Sequence, residues 1–227
     1  MKKKIHVWLP VFLCCLLACG IAVGVYYAQG VSLMKRAMAA DLAYLSAHDI
    51  SAEKLSQALG EKSLSSDQVL EVADQVRQGT DIEMDNYYTG YLAERFQQNC
   101  QSFQETPLKW DLSLESGSTN GRLFYWKAIS STEVEVHYMA THWLTSMNYY
   151  TQDSKPRYTV DVIFSRDIST AQLEKVEGQW KVVSEKITSM EFAPDSYDSV
   201  QGSFDSCQEA LKFVTNLNER EINPFFL

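Results

Sequence analysis

Histidine and cysteine, which carry most metal-binding and much nucleophilic chemistry, are scarce in this chain. Four histidines occur in 227 residues. His6 belongs to the amino-terminal tail and His48 to the end of a helical segment, leaving His137 and His142, five apart with no cysteine beside them. That spacing fits no ordinary zinc site, so no metal ligand set is assigned. Asp195, Asp198 and Asp205 lack the order of a calcium loop and its closing glutamate. No phosphate-binding glycine loop, dinucleotide fingerprint or Ser-His-Asp order occurs, so neither a catalytic set nor a cofactor is assigned and the chain reads as a non-enzyme. Basic charge is also short. Removing the three lysines of residues 1–30 from the 20 basic residues leaves 17 against 29 acidic, a net of −12. That balance excludes nucleic acid as a partner and argues against electrostatic docking on anionic headgroups.

What the sequence has instead is one long apolar run, VWLPVFLCCLLACGIAVGVYYA, from Val7 to Ala28. As a helix it covers about 33 Å at ~1.5 Å per residue, enough for a hydrocarbon core of roughly 30 Å. Trp8 at one end and Tyr26 and Tyr27 at the other match the two interfaces, and Pro10 is expected in the first turn. Lys2, Lys3 and Lys4 precede the run, which predicts a cytoplasmic amino terminus and an exported domain. Two other readings stay open. Ala28-Gln29-Gly30 offers small residues for signal cleavage, although the run is long for a signal peptide. Leu16-Leu17-Ala18-Cys19 resembles a lipobox, with Cys19 the lipidated residue. Gly20 and Gly24 form a G-x-x-x-G.

Three of the five cysteines lie in the run, so Cys100 and Cys207 are the pair available to an exported domain. They are either a disulfide or two buried thiols on apolar helix faces.

Three segments are predicted: 1–30 as tail and spanning helix, 31–83 as a helical stalk and helical pair, and 84–227 as an α+β domain. Leu33, Met34, Met38, Leu42 and Leu45 continue the helix. Ser51 and Ser65 open two short helices as N-caps, and Gln68 completes a capping box with Ser65. A fourth helix is expected from about Met84 to Phe103, with Tyr88, Leu92, Phe96 and Cys100 on its stripe. The period then changes to two. Strands are expected near 122–130, at 132–140 with Val134, Val136, Tyr138 and Ala140 inward, and at 157–165 with Val160, Val162 and Phe164 inward and Asp161 outward. A turn at Glu177-Gly178 joins two more. Residues 195–206 read as a polar loop. A last helix is expected from Ser206 to Asn223-Pro224, capped through Glu209. The fold class is α+β: a transmembrane helix, a helical preface, a curved antiparallel sheet and a C-terminal helix.

Helices followed by YTVDVIFSRD…AQLEKVEGQWKVVSEKI resemble the nuclear-transport-factor-2-like, or SnoaL-like, superfamily. Val160, Val162, Phe164, Leu173, Gly178, Trp180, Lys181 and Val182 carry the likeness over residues 84–191. The resemblance implies a cone closed by the preceding helices. Its members include enzymes, binding modules and the single-pass scaffold subunits of conjugation and type IV secretion machines, so it assigns no chemistry alone.

The expected function is a membrane-anchored extracytoplasmic binding protein whose partner is a protein or an envelope ligand. Its expected contact surface is the segment THWLTSMNYYTQDSKPR, through Trp143, Met147, Tyr149 and Tyr150. Two alternatives are a scaffold of a conjugation apparatus and an exported enzyme with His137 or His142 and Asp161 around a pocket.

Overall fold

The computed structural model of the chain describes residues 5–60, 64–78, 83–192 and 201–217, with side chains from residue 11 onward except at 119 and 120. Lys2, Lys3, Lys4, the Trp8 side chain, Asp195, Asp198 and Asn223-Pro224 lie outside the described residues. The fold is α+β, with helix α1 first, three short helices, a curved antiparallel sheet and a C-terminal helix.

Helix α1 runs unbroken from Ile5 to Ser46. Pro10 is its sixth described residue and not in its first turn, so one i→i−4 bond is given up there. The helix has two unlike halves. Residues 11–29 are exposed throughout, and from Gly30 onward the helix sinks into the domain. Ala37, Ala40 and Ala43 are small enough to bring its axis close to the sheet, and Leu33 and Met34 are buried beside them. The segment expected as a stalk is therefore core.

The sheet contains β1 (Leu112–Ala128), β2 (Glu133–Gln152), β3 (Lys155–Val176), β4 (Gln179–Phe192) and β5 (Gln201–Phe204). Its order is β1-β2-β3-β4, antiparallel, and β5 takes the edge of β3 at residues 158–161 beyond the end of β4. Strand β1 lies antiparallel along α1. Tyr26 stacks on Trp126 with ring centroids 4.6 Å apart, Gly30 abuts Trp126 and Leu123, Met34 and Met38 abut Gly121, and Asp49 accepts from Ser113 and Ser116. A Cβ at Gly30 would collide with the Trp126 indole, so the contact needs glycine.

Strands β2 and β3 pair without a bulge along all 20 residues of β2, from Glu133 opposite Glu174 to Gln152 opposite Lys155. An unbroken ladder fixes which face each side chain takes. Val134, Val136, Tyr138 and Ala140 share one face, whereas Thr145 and Met147 share the opposite one, and all six are buried. The sheet consequently has two cores on opposite faces. In the first, α1 and α4 (Gly90–Glu105) cover Val134, Val136, Tyr138, Ala171, Leu173 and Val182. In the second, α2 (Ala52–Leu59), α3 (Ser66–Gln78) and α5 (Cys207–Thr215) cover Met147, Tyr158, Val160, Leu112 and Leu114. Residues 31–83 thus contribute to both cores.

The caps form as the sequence predicts. The Ser51 hydroxyl accepts from Lys54 N–H and that of Ser206 from Glu209 N–H. In the Ser65 box, the Gln68 amide oxygen accepts from Ser65 N–H at 2.9 Å while the Ser65 hydroxyl accepts from Gln68 N–H at 3.4 Å. Buried Arg77 donates to the Phe103 and Thr106 carbonyls at 2.6 and 2.7 Å, closing the end of α4.

Three expectations are corrected. The helix expected over 84–103 is a 3-10 turn at Met84–Asn86 followed by α4 from Gly90, whose φ of +59° sets the new direction. Strand β1 begins ten residues before 122. Residues 201–204, expected in a loop, form β5. Of the two readings left open for Cys100 and Cys207, the structure has the thiols: both are free and buried, one in each core. Burial pushes the Cys207 thiol up to about 12, so it is unreactive at neutral pH.

Candidate functional site

A long helix lying on a twisted sheet cannot fill the full width of the face it covers. On the first face, past Ala140, the gap is a cleft of about 420 Å³. Tyr44 from α1 and Phe96 from α4, stacked at 4.1 Å, form one wall. Leu144 of β2 and Ile163 of β3 form the floor, and Ile187, Met190 and Phe192 of β4 carry it to the sheet edge. The last three are about half-exposed or more, which leaves the cleft open on that side. An exposed apolar run leading into a concave apolar site is a common mark of ligand binding.

Two polar groupings are set into this apolar lining. Tyr138 Oη lies 3.0 Å from Asp41 Oδ2 and 2.9 Å from Glu185 Oε1. One phenolic hydrogen serves only one of these two carboxylates at a time. Burial, and then the neighbouring Glu185 charge, hold Asp41 well above the usual carboxylate range. In the second grouping His142 Nε2 is 3.8 Å from Asp167 Oδ2, and the Ser165 hydroxyl donates a long bond, 3.5 Å, to the same oxygen. Burial raises Asp167 and lowers His142, so the imidazole is neutral at pH 7. Asp167 Oδ1 and His142 Nδ1 are buried with no hydrogen-bond partner. Two orphaned polar atoms at the lining of an open cleft mark a place where a ligand's polar end would be satisfied.

The residues expected to carry function fall in different places. His142 lines the cleft. His137 is on the opposite face between the rings of Phe124 and Tyr125, bonded to Thr170 Oγ1 at 2.8 Å. Asp161 pairs with Ser146 and Gln201 and does not line the cleft. The expected trio is therefore not brought together. Nor do Trp143, Met147, Tyr149 and Tyr150 form one exposed patch. Met147 is fully buried in the second core, Tyr149 packs between Trp110 and Tyr158, and Trp143 lies across Gly117. Tyr150 alone among them is exposed. Cys19 is exposed on the apolar half of α1. Among the described residues no three His, Cys, Asp or Glu side chains converge at metal-binding distance.

Asp41, Tyr138, Asp167 and Glu185 escaped the sequence reading. For Asp41 a signal existed: it stands at the spacing of Met34, Met38 and Leu45, a lone carboxylate on an apolar stripe.

No family model matches the chain, and no curated protein matches it. A solved structure, the intermembrane space region of the chloroplast protein ARC6, aligns with 45% of this chain and 73% of its own at 7% identity and a TM-score of 0.31. A likeness that low carries no argument about fold or function here.

Proposed function

We propose that this chain is a single-pass, membrane-anchored binding protein whose extracytoplasmic domain takes an apolar ligand into the cleft beneath α1. The observation that carries the reading is the open apolar cleft with buried, unpartnered polar atoms at its lining. Three carboxyls, Asp41, Glu185 and Asp167, face one small volume, so the favoured ligand has an apolar body and a hydrogen-bond-donating, positively charged end.

Among the described residues one helix is long and apolar enough to cross a membrane. Retention of that helix is supported by the joint between Tyr26 and Trp126. The Tyr26 hydroxyl donates to the Trp126 carbonyl, and Trp126 Nε1–H donates to the Tyr26 carbonyl at 2.9 Å. Cleavage at residues 28–30 would discard half of this joint, whereas lipidation at Cys19 would keep it. The intact mass of the mature chain separates the three fates. The likeness of residues 84–191 to the nuclear-transport-factor-2-like group belongs to the same proposal, as does the outward orientation of the domain.

Full-length protein in phosphatidylcholine nanodiscs, titrated with dodecylamine and dodecanoate while tryptophan emission is followed, tests the binding reading. The amine is expected to bind at least tenfold more tightly, and Asp167→Asn to erase most of that preference. Equal, weak responses to both would sink it. An enzymatic reading draws on one observation, the neutral imidazole of His142 beside Asp167 in the cleft. It requires turnover of a bound compound that His142→Gln abolishes without loss of binding.

A further inference from the structure

We propose that the free end of the β1–β2 hairpin rests in the headgroup layer of the bilayer that α1 crosses, with Phe124, Tyr125 and Ile129 as its lipid contacts; this rests on the anchor reading above.

The first observation is direction. Successive contacts pair rising positions along α1 and the turn after it with falling positions in β1: Tyr26 with Trp126, Gly30 with Leu123, Met38 with Gly121, Asp49 with Ser113. The hairpin end therefore points toward the exposed apolar half of the helix. The second is height. Residues 11–28 are the exposed apolar stretch, about 27 Å long at ~1.5 Å per residue, and Tyr26 and Tyr27 stand at its outer limit. Trp126 is bonded to Tyr26 at that level. Ile129 lies three residues further, just past the end of β1 at Ala128, so at ~3.3 Å per residue it stands no more than about 10 Å beyond that level toward the apolar half.

The third observation is composition. A register shift between Leu123 and Tyr125 places two consecutive aromatic side chains on the same outer face, where both rings flank His137 at 5.3 and 5.2 Å. Phe124, Tyr125 and Ile129 are 43%, 49% and 49% exposed. Large apolar and aromatic side chains at this level are what a membrane–water interface favours. Part of the turn's backbone is already paired within the protein: Ile129 and Ser130 N–H both donate to the Glu133 carbonyl, and the Thr132 carbonyl accepts from Lys175 N–H. The contact is apolar rather than electrostatic, in keeping with the acidic balance of the domain.

The test uses the full chain in phosphatidylcholine liposomes, with a benzophenone amino acid replacing Phe124, Ile129, Tyr27 or Tyr150 in turn. All four side chains are exposed, so each site tolerates the probe. After irradiation, lipid adducts at 124 and 129 are expected to exceed those at 150, at the far end of the sheet, by at least tenfold. Adducts at 27 with none above background at 124 and 129 would overturn the hairpin contact while leaving the anchor intact. No adducts at 27 either would remove the anchor, and this proposal with it. Cross-links from 124 to a second copy of the chain in place of lipid would also overturn it.

Discussion

The two cores on opposite faces of the sheet are built from the same pair of strands and differ in almost everything else. The first is covered by the second half of one long helix and by α4, and it holds Asp41, Tyr138, Glu185 and the open cleft. The second is covered by three short, individually capped helices and packs Leu55, Met147, Val160 and Leu211 to full burial. Its own hollow, beside Cys207 and Tyr158, is about 130 Å³, a third of the size. Short helices can each be angled to the curvature beneath them, so they close over it. A single straight rod cannot follow a twisting surface, and the space it leaves is where the polar groups stand. The contrast teaches that the cleft is a product of rod length as much as of the residues lining it.

That contrast is most sharply tested in the cores themselves. Leu173→Ala in the first and Leu211→Ala in the second are each expected to cost about 2–5 kcal/mol, both residues being fully buried. Because β2 and β3 run through both cores, each substitution should shift one common unfolding transition, followed by circular dichroism. Two separate transitions would show that the faces melt independently. A smaller effect is expected at the caps. Ser65→Ala and Ser206→Ala should each cost about 1 kcal/mol, with faster amide exchange confined to α3 and α5. Spread of that exchange into α1 would mean the cores are more tightly coupled than their separate faces imply.

The third effect is set by pH and has the opposite sign. Asp167 is raised above its ordinary value by burial, so its ionised form is the one the fold disfavours. Its protonated form contributes stability fully below the unfolded carboxyl value, near pH 4, and that contribution is lost as pH rises through the folded value. Asp167→Asn stays neutral throughout. It is expected to raise the melting temperature at pH 8, with the gain shrinking toward pH 4. A difference that does not change with pH would show the cleft to be wetter than its lining indicates.

Local features were readable from the sequence. The Ser65-Gln68 box, the Ser206 cap and the turn at Glu177-Gly178, where both residues take positive φ, each depend on a few neighbouring residues. The start of β1 was not readable, because LSLESGSTNG has the serine and glycine content of a loop and becomes a strand only by pairing with β2. The exchange of faces along β2 was hidden for a related reason. Val134-Val136-Tyr138-Ala140 and Thr145-Met147-Tyr149 each show a clean period of two, but their phases differ by one residue, and only an unbroken ladder shows that this is two cores and not a bulge. The cleft was least legible. Asp41, Asp167 and Glu185 come from three elements; Asp167 and Glu185 each look locally like an ordinary surface carboxylate, and Asp41 stands out only by its place on an apolar stripe.

The unbroken course of α1 has a mechanical consequence. No loop or leash separates the apolar stretch from the domain, so α1 acts as a mast that turns and tilts with everything mounted on it. Asp41 stands fifteen residues past Tyr26, about 22 Å up the axis. With the apolar half held in a bilayer, as proposed above, the mouth of the cleft would keep a set altitude and compass bearing, within reach of a cargo carried in the water layer and beyond the grasp of one still seated in the lipid.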